Sequence, residues 1–183
     1  MINSLKKETL LDIKDILINV GVKENMRIAD LGCGRRGSFS LQAAKLVKKN
    51  GLIFAVDILK PALKNIRSKA EMFNISNIKT IWANLEVYKS TNIADNEVDI
   101  VFLSNTLFQS EKHEIVIKEA NRILKDQGKV LIIEWKKIKS PIGPPMEKRI
   151  DQEKIKTLFE KLDLKLVNEF EAGPYHYGLV YKK

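Results

Sequence analysis

A mostly parallel β-sheet covered by helices on both faces is the architecture that this 183-residue chain predicts. Apolar runs of strand length alternate with segments whose apolar residues recur at helical spacing, the signature of a doubly wound α/β arrangement. The run Val98 to Leu103 is almost wholly apolar, as a parallel strand buried on both faces requires. A strand, a glycine-rich turn and a helix follow one another between Met26 and Val47. No repeat, low-complexity tract or linker breaks the alternation, so residues 1–183 read as a single domain.

Taken in order, Leu10, Ile13, Leu17 and Val20 mark an opening helix that stops at Gly21. Met26 to Leu31 forms a short buried strand running into Gly32-Cys33-Gly34, and Phe39, Ala43, Leu46 and Val47 face inward on the next helix, which ends near Asn50-Gly51. Leu52 to Ile58 is the second strand. Pro61 opens a helix with Ala62, Ile66 and Ala70 on its inner face, and Ile78 to Trp82 is the third strand. After the fourth strand, Val116, Ala120, Ile123 and Leu124 line a helix, and Asp126-Gln127-Gly128 turns into a fifth strand, Val130 to Trp135. The prolines of Pro141-Ile142-Gly143-Pro144-Pro145 exclude regular structure. Asp151 caps a helix with Ile155, Leu158, Phe159 and Leu162 on one stripe, and a hairpin closes the chain, Lys165 to Phe170 and Tyr177 to Tyr181 about a Gly173-Pro174 turn.

Composition narrows the partners. Apolar residues make up 44% and charged residues 30%, ordinary for a globular protein. No run reaches the length of a membrane span, and Met1 to Lys7 lacks a signal-peptide core, so a cytoplasmic protein is expected. Cys33 is the only cysteine, which excludes disulfides and cysteine metal clusters within one chain, and no metal site is expected. The net charge of +9 favours anionic partners, nucleic acid among them. Lysine scattered along nearly every surface segment suits a compositional bias equally well, and no aromatic-studded basic stripe accompanies it.

Gly32-x-Gly34-x-x-Gly37, with Asp57 ending the next strand, fits two kinds of ligand. Asp57 suits a ribose diol in either case, because an ionised carboxylate accepts from both hydroxyls. Asp30 separates them. A dinucleotide would set an anionic pyrophosphate over this loop, which a carboxylate at the strand end repels. S-adenosylmethionine carries an ammonium and a sulfonium, which the same carboxylate attracts.

Ile28-Ala29-Asp30-Leu31-Gly32-Cys33-Gly34 and Val98-Asp99-Ile100-Val101-Phe102-Leu103-Ser104-Asn105 resemble the first and fourth-strand motifs of class I S-adenosylmethionine-dependent methyltransferases. The stretch from Ala120 to Glu134 resembles the subgroup that contains ubiquinone/menaquinone-biosynthesis methyltransferases. This resemblance implies a seven-stranded Rossmann-like sheet of order 3-2-1-4-5-7-6 with the last strand antiparallel. It implies that Asp30, Gly32, Cys33 and Gly34 meet the methionine end of the cofactor, Asp57 and Ile58 the ribose side, Asn84 and Leu85 the adenine, and that Ser104 also lines the cofactor site. Asn84 stands where the family usually has an aspartate, and Arg36 where it usually has glycine or another small residue. Cys33 is expected as a small packing residue, and Asp99 as an outward-facing one.

The acceptor is open. The fourth strand lacks the Asn/Asp-Pro-Pro-aromatic motif of adenine and glutamine enzymes, and one cysteine argues against cysteine-nucleophile pyrimidine and arsenite methyltransferases. The ribose-methylating set lacks its aspartate. A small aromatic or anionic metabolite is the first expectation. An RNA or protein methyltransferase with a basic rim is the second, and a nucleotide-binding module or dehydrogenase the third. Ser104-Asn105-Thr106, the basic loop from Lys136 to Arg149, and the tip Gly173 to Tyr177 should line the acceptor side. There His176 is the candidate general base and Asn105 a second catalytic candidate, with Arg149 beside them. Without an inserted lid, the site stands open, is covered by the opening helix, or is closed by a second subunit of a homo-oligomer.

Overall fold

The computed structural model describes residues 10–183; the expectation for Met1 to Lys7 lies outside them. Seven strands form one sheet: β1 (Arg27–Leu31), β2 (Leu52–Asp57), β3 (Ile78–Trp82), β4 (Val98–Ser104), β5 (Leu124–Trp135), β6 (Lys165–Glu171) and β7 (His176–Lys182), in the order β3-β2-β1-β4-β5-β7-β6. The first five strands run parallel, and β7 is antiparallel to both β5 and β6. Order and directions are those implied by the resemblance.

One face of the sheet is covered by α1 (Ile13–Val20), α2 (Ser38–Val47) and α3 (Lys60–Met72), through Leu17, Val20, Phe39, Ala43, Val47, Leu63 and Ile66. The other face takes α4 (His113–Ile123) and α5 (Gln152–Glu160), through Val116, Ile117, Ala120, Ile155 and Phe159. The capping chemistry is as the residues demand: Asp12 and Asp151 accept the backbone N–H of Asp15 and Glu153 at 3.2 and 3.0 Å, and Gly21 closes α1 at φ 95°.

Two boundaries differ from expectation. Leu124 opens β5 and does not end α4, and the expected turn lies inside the strand. Val98 pairs with Leu124 and Ile100 with Lys129, so residues 125–128 bulge out, with Gln127 at φ 65°. Asp99 also does not face freely outward; its oxygens accept the Arg27 N–H and the Lys125 ammonium, each at 2.7 Å.

The order reverses between β1 and β4, where successive crossovers leave in opposite directions and open a crevice at the strand ends. On the face of α1 and α2, alternation carries Asp30, Ser104, Trp135 and His176 to that edge. No helix among the described residues is long and apolar enough to cross a membrane.

Candidate active site

The glycine loop is built by strand-end geometry. Gly32 has φ 80°, and a Cβ there would lie 2.6 Å from Oγ1 of Thr106, whose hydroxyl donates to the Leu31 carbonyl at 2.8 Å. Gly32 therefore lets the β4 loop close down onto the end of β1. Gly34 has φ 64° and open space where its Cβ would stand, which leaves bare backbone toward the crevice. Asp57 stabilises this shape: its carboxylate accepts the N–H of Gly34 and of Leu59, both at 2.8 Å. Each oxygen keeps a free lone pair, which is what a ribose diol needs.

Asp30 is 1% exposed and takes the Ser40 hydroxyl at 2.5 Å. Burial pushes its pKa up to about 6, against the Ser40 hydrogen bonds and with a smaller push from Asp57. No cation among the described residues pairs with it within 4.0 Å. A buried carboxyl so placed gains most from a cationic ligand. Cys33 is buried beside it, and burial raises its thiol far above the ordinary range, so it packs and does not ionise.

These groups line a cavity of about 360 Å³. Asp30, Gly32, Cys33, Gly34, Ser104 and Asn105 form one side; Arg35, Arg36, Ser38 and Phe39 form the wall, and Leu10, Leu11 and Ile13 cover it. The chain entering α1 therefore contributes to the lining. The hairpin tip supports the cover from behind, since a Cβ on Gly173 would lie 2.4 Å from the Leu10 carbonyl. Asn105 sits at φ 53°, its N–H bonded to the Ile133 carbonyl at 2.7 Å and its Oδ1 buried without a partner.

Asp57, Ile58, Asn84 and Leu85 lie outside this cavity, along the ends of β2 and β3. Ile58 is exposed, and its carbonyl accepts the Trp82 indole N–H at 2.8 Å. Asn84 is exposed and turns its Oδ1 to the Glu86 N–H at 2.9 Å. Its loop is anchored twice. Glu86 accepts from the Ser110 hydroxyl and the Glu111 N–H, while buried Glu119 takes the Thr91 hydroxyl at 2.6 Å and the Lys89 N–H at 3.0 Å.

The acceptor-side expectation needs correction. His176 does not meet solvent: it is fully buried at the start of β7, its ring 4.0 Å from that of Trp135, with both nitrogens unpartnered. Burial, with Arg149 and Lys136 adding, lowers its pKa to about 4, so it stays neutral and is a weak base at neutral pH. Arg149 is also internal. Its guanidinium donates to the carbonyls of Pro144, Lys136 and Ile138 and to the Ser140 hydroxyl, and lies 5.4 Å from the Trp135 ring centroid. Lys136 is paired with Glu171. The loop from Lys136 to Arg149 is thus organised around its own arginine, and the basic rim loses two of its five cations. Arg149→Ala should lower stability by about 1.5–3 kcal/mol in urea unfolding, because several half-buried acceptors of the loop lose a charged donor. A change below about 0.5 kcal/mol would mean that the loop holds itself without the guanidinium.

Ser40 and Glu134 escaped the sequence reading, and Thr106, expected on the acceptor side, instead ties the β4 loop to the end of β1. Glu134 is fully buried at the end of β5, accepts the Leu107 N–H at 2.7 Å, and has its other oxygen unpartnered. Burial pushes its pKa up to about 8. A charged residue after four apolar ones was the available signal, and it does not say which way the side chain turns.

A model of the methyltransferase domain family matches residues 22–169. The chain belongs to this family. The curated relatives that it resembles are described as methyltransferases. The ubiquinone/menaquinone biosynthesis C-methyltransferase of Klebsiella pneumoniae is 30% identical over 132 residues, covering 72% of this chain and 50% of the relative. The protein of that same description from Salmonella arizonae is 27% identical over 156 residues, 85% of this chain and 59% of the relative. The chain thus spans little more than half the length of these curated relatives. The crystal structure of an S-adenosylmethionine-dependent methyltransferase from Aquifex aeolicus superposes with a TM-score of 0.87 over 94% of this chain and 90% of its own, at 24% identity. At that identity the superposition speaks for the fold.

Proposed function

We propose that this methyltransferase methylates a small aromatic or anionic molecule seated in the cavity beneath Leu10, Leu11 and Ile13. One observation carries the reading: Asp30, buried on the cavity side and lacking a cation, faces the place where an ammonium would neutralise it. The residues present fit the donor. Asp30 holds its amino group, Asp57 its ribose hydroxyls, and Asn84 and the Leu85 N–H its adenine, with Gly32 and Gly34 allowing close backbone approach. The bound donor supplies an electrophilic methyl group on a sulfonium. This chain's residues align the acceptor against it and keep water out, which is most of what an in-line displacement asks of a protein. Asn105 lines the same cavity, so its side chain stands beside the acceptor.

Among the described residues the cavity offers no titratable base other than Asp30, since the Cys33 thiol is held protonated and His176 lies elsewhere. The acceptor therefore brings an already ionised or electron-rich nucleophile. The curated relatives, described as C-methyltransferases of quinone biosynthesis, support an aromatic carbon as one such centre.

Calorimetry tests the donor: S-adenosylhomocysteine should bind at one site and NAD should not. Tight NAD binding without S-adenosylhomocysteine binding would overturn the assignment. A screen of small-molecule pools with labelled donor then tests the acceptor, and transfer confined to RNA would replace the small-molecule reading.

A further inference from the structure

We propose that Arg35 and Arg36 form an anion subsite for the acceptor, and that the acceptor is an apolar molecule bearing one acid group. The inference rests on the donor assignment above. Both arginines line the cavity, and no carboxylate among the described residues lies within 4.0 Å of either guanidinium. Their backbone is held from α3: Asn65 Nδ2 donates to the Arg35 carbonyl at 2.6 Å and Lys69 Nζ to the Arg36 carbonyl at 3.0 Å. The two residues thus sit on an anchored loop, exposed and at the lining of one cavity.

Charge balance gives the subsite its role. The described lining holds one carboxyl, Asp30, and two guanidiniums. The amino-acid end of the donor is itself balanced, and its sulfonium adds a positive charge. One guanidinium can serve the donor's carboxylate; the second then has no counter-ion, and the sulfonium leaves a further positive charge in the cavity. A cationic acceptor is disfavoured there and an anionic one is drawn in. The same cavity is lined by Leu10, Leu11, Ile13 and Phe39, which offer apolar surface for the body of the molecule. A carboxylate or phosphate at one end of an apolar scaffold matches both walls, and bidentate contact to a planar guanidinium would fix its orientation.

A probe pair that differs only in charge tests this: 2-naphthoate and its uncharged amide, titrated into protein saturated with S-adenosylhomocysteine. Naphthoate should bind about fivefold tighter or more, as suits a partly exposed ion pair, and the preference should shrink at about 1 M salt. In an Arg35→Gln/Arg36→Gln variant the preference should fall within about twofold, and Arg35→Lys/Arg36→Lys should restore part of it. 5′-Methylthioadenosine, which lacks the amino-acid end, should bind the Gln variant within about twofold of wild type, and S-adenosylhomocysteine should lose no more than about fivefold, the worth of one exposed ion pair to its carboxylate. Equal binding of the two probes to wild type, or a preference that survives in the Gln variant, would overturn the proposal. A loss well beyond about tenfold for S-adenosylhomocysteine alone would assign both guanidiniums to the donor's carboxylate and overturn it as well. Failure of S-adenosylhomocysteine to bind wild type is a separate result, which removes the donor assignment itself.

Discussion

Replacing Asp57 with Ala is expected to weaken S-adenosylhomocysteine binding at least tenfold. Hydrogen bonds to a charged group are worth about 1.5–3 kcal/mol, and each 1.4 kcal/mol is a factor of ten in affinity. Asp57 would act twice. Its oxygens hold the N–H of Gly34 and Leu59, which shape the glycine loop, and their remaining lone pairs would accept from the ribose. Asp57→Asn separates the two roles, because the amide keeps one acceptor oxygen and should lose less than Ala. Calorimetry at fixed pH checks both variants. An Ala variant within about twofold of wild type would move the ribose away from this strand end.

Glu134 should give the largest pH effect on stability. Its carboxyl is raised from an ordinary 4.5 to about 8 by burial. A folded-state value above the unfolded one means a contribution that is complete below pH 4.5 and lost as pH rises through 8. A shift of that size sets a ceiling of roughly 5 kcal/mol, and relaxation and water entry should reduce it to about 2–3 kcal/mol. Asp30, raised to about 6, adds a smaller loss of the same sign in the lower part of that window. Urea unfolding of wild type and Glu134→Gln at pH 6 and pH 9 isolates the carboxyl. The variant should lose about 2 kcal/mol less across that interval, whatever its absolute stability. Equal losses would show that the carboxyl is already ionised in the folded protein at pH 6. Loosening of the turn at Leu107 above pH 8 should also reach the cavity, because Asn105 and Thr106 immediately precede the backbone that Glu134 holds.

The donor half of the site was legible because it depends on local rules. Gly32, Gly34, Asp30 and Asp57 lie at strand ends whose positions follow from apolar runs, and the ligand's charge was readable from the sign of Asp30. Helix starts at Asp12 and Asp151 and stops at Gly21 were equally local, since a cap needs only its own few residues. Misjudged boundaries arose where tertiary pairing prevailed over turn chemistry: Asp126-Gln127-Gly128 has the composition of a turn, yet Val98 and Ile100 pair on either side of it and absorb it as a bulge.

The acceptor half was not legible, and the reason is direction. His176, Arg149 and Glu134 are polar residues at strand ends and in a loop, where sequence spacing leaves open whether a side chain meets solvent or turns inward. The structure turns all three inward: His176 onto Trp135, Arg149 into the carbonyls of its own loop, and Glu134 under the turn at Leu107. Arg36 was conspicuous as a departure from a small residue, but only the fold places it with Arg35, Leu10 and Phe39 at the lining of one cavity. By itself the sequence determined the layered fold and, through its family motifs, the strand order and the methyltransferase family, because each rests on periodicity or on short-range spacing. Only the tertiary structure decided which charges are buried and which remain to meet a ligand, because burial depends on residues far apart in the chain.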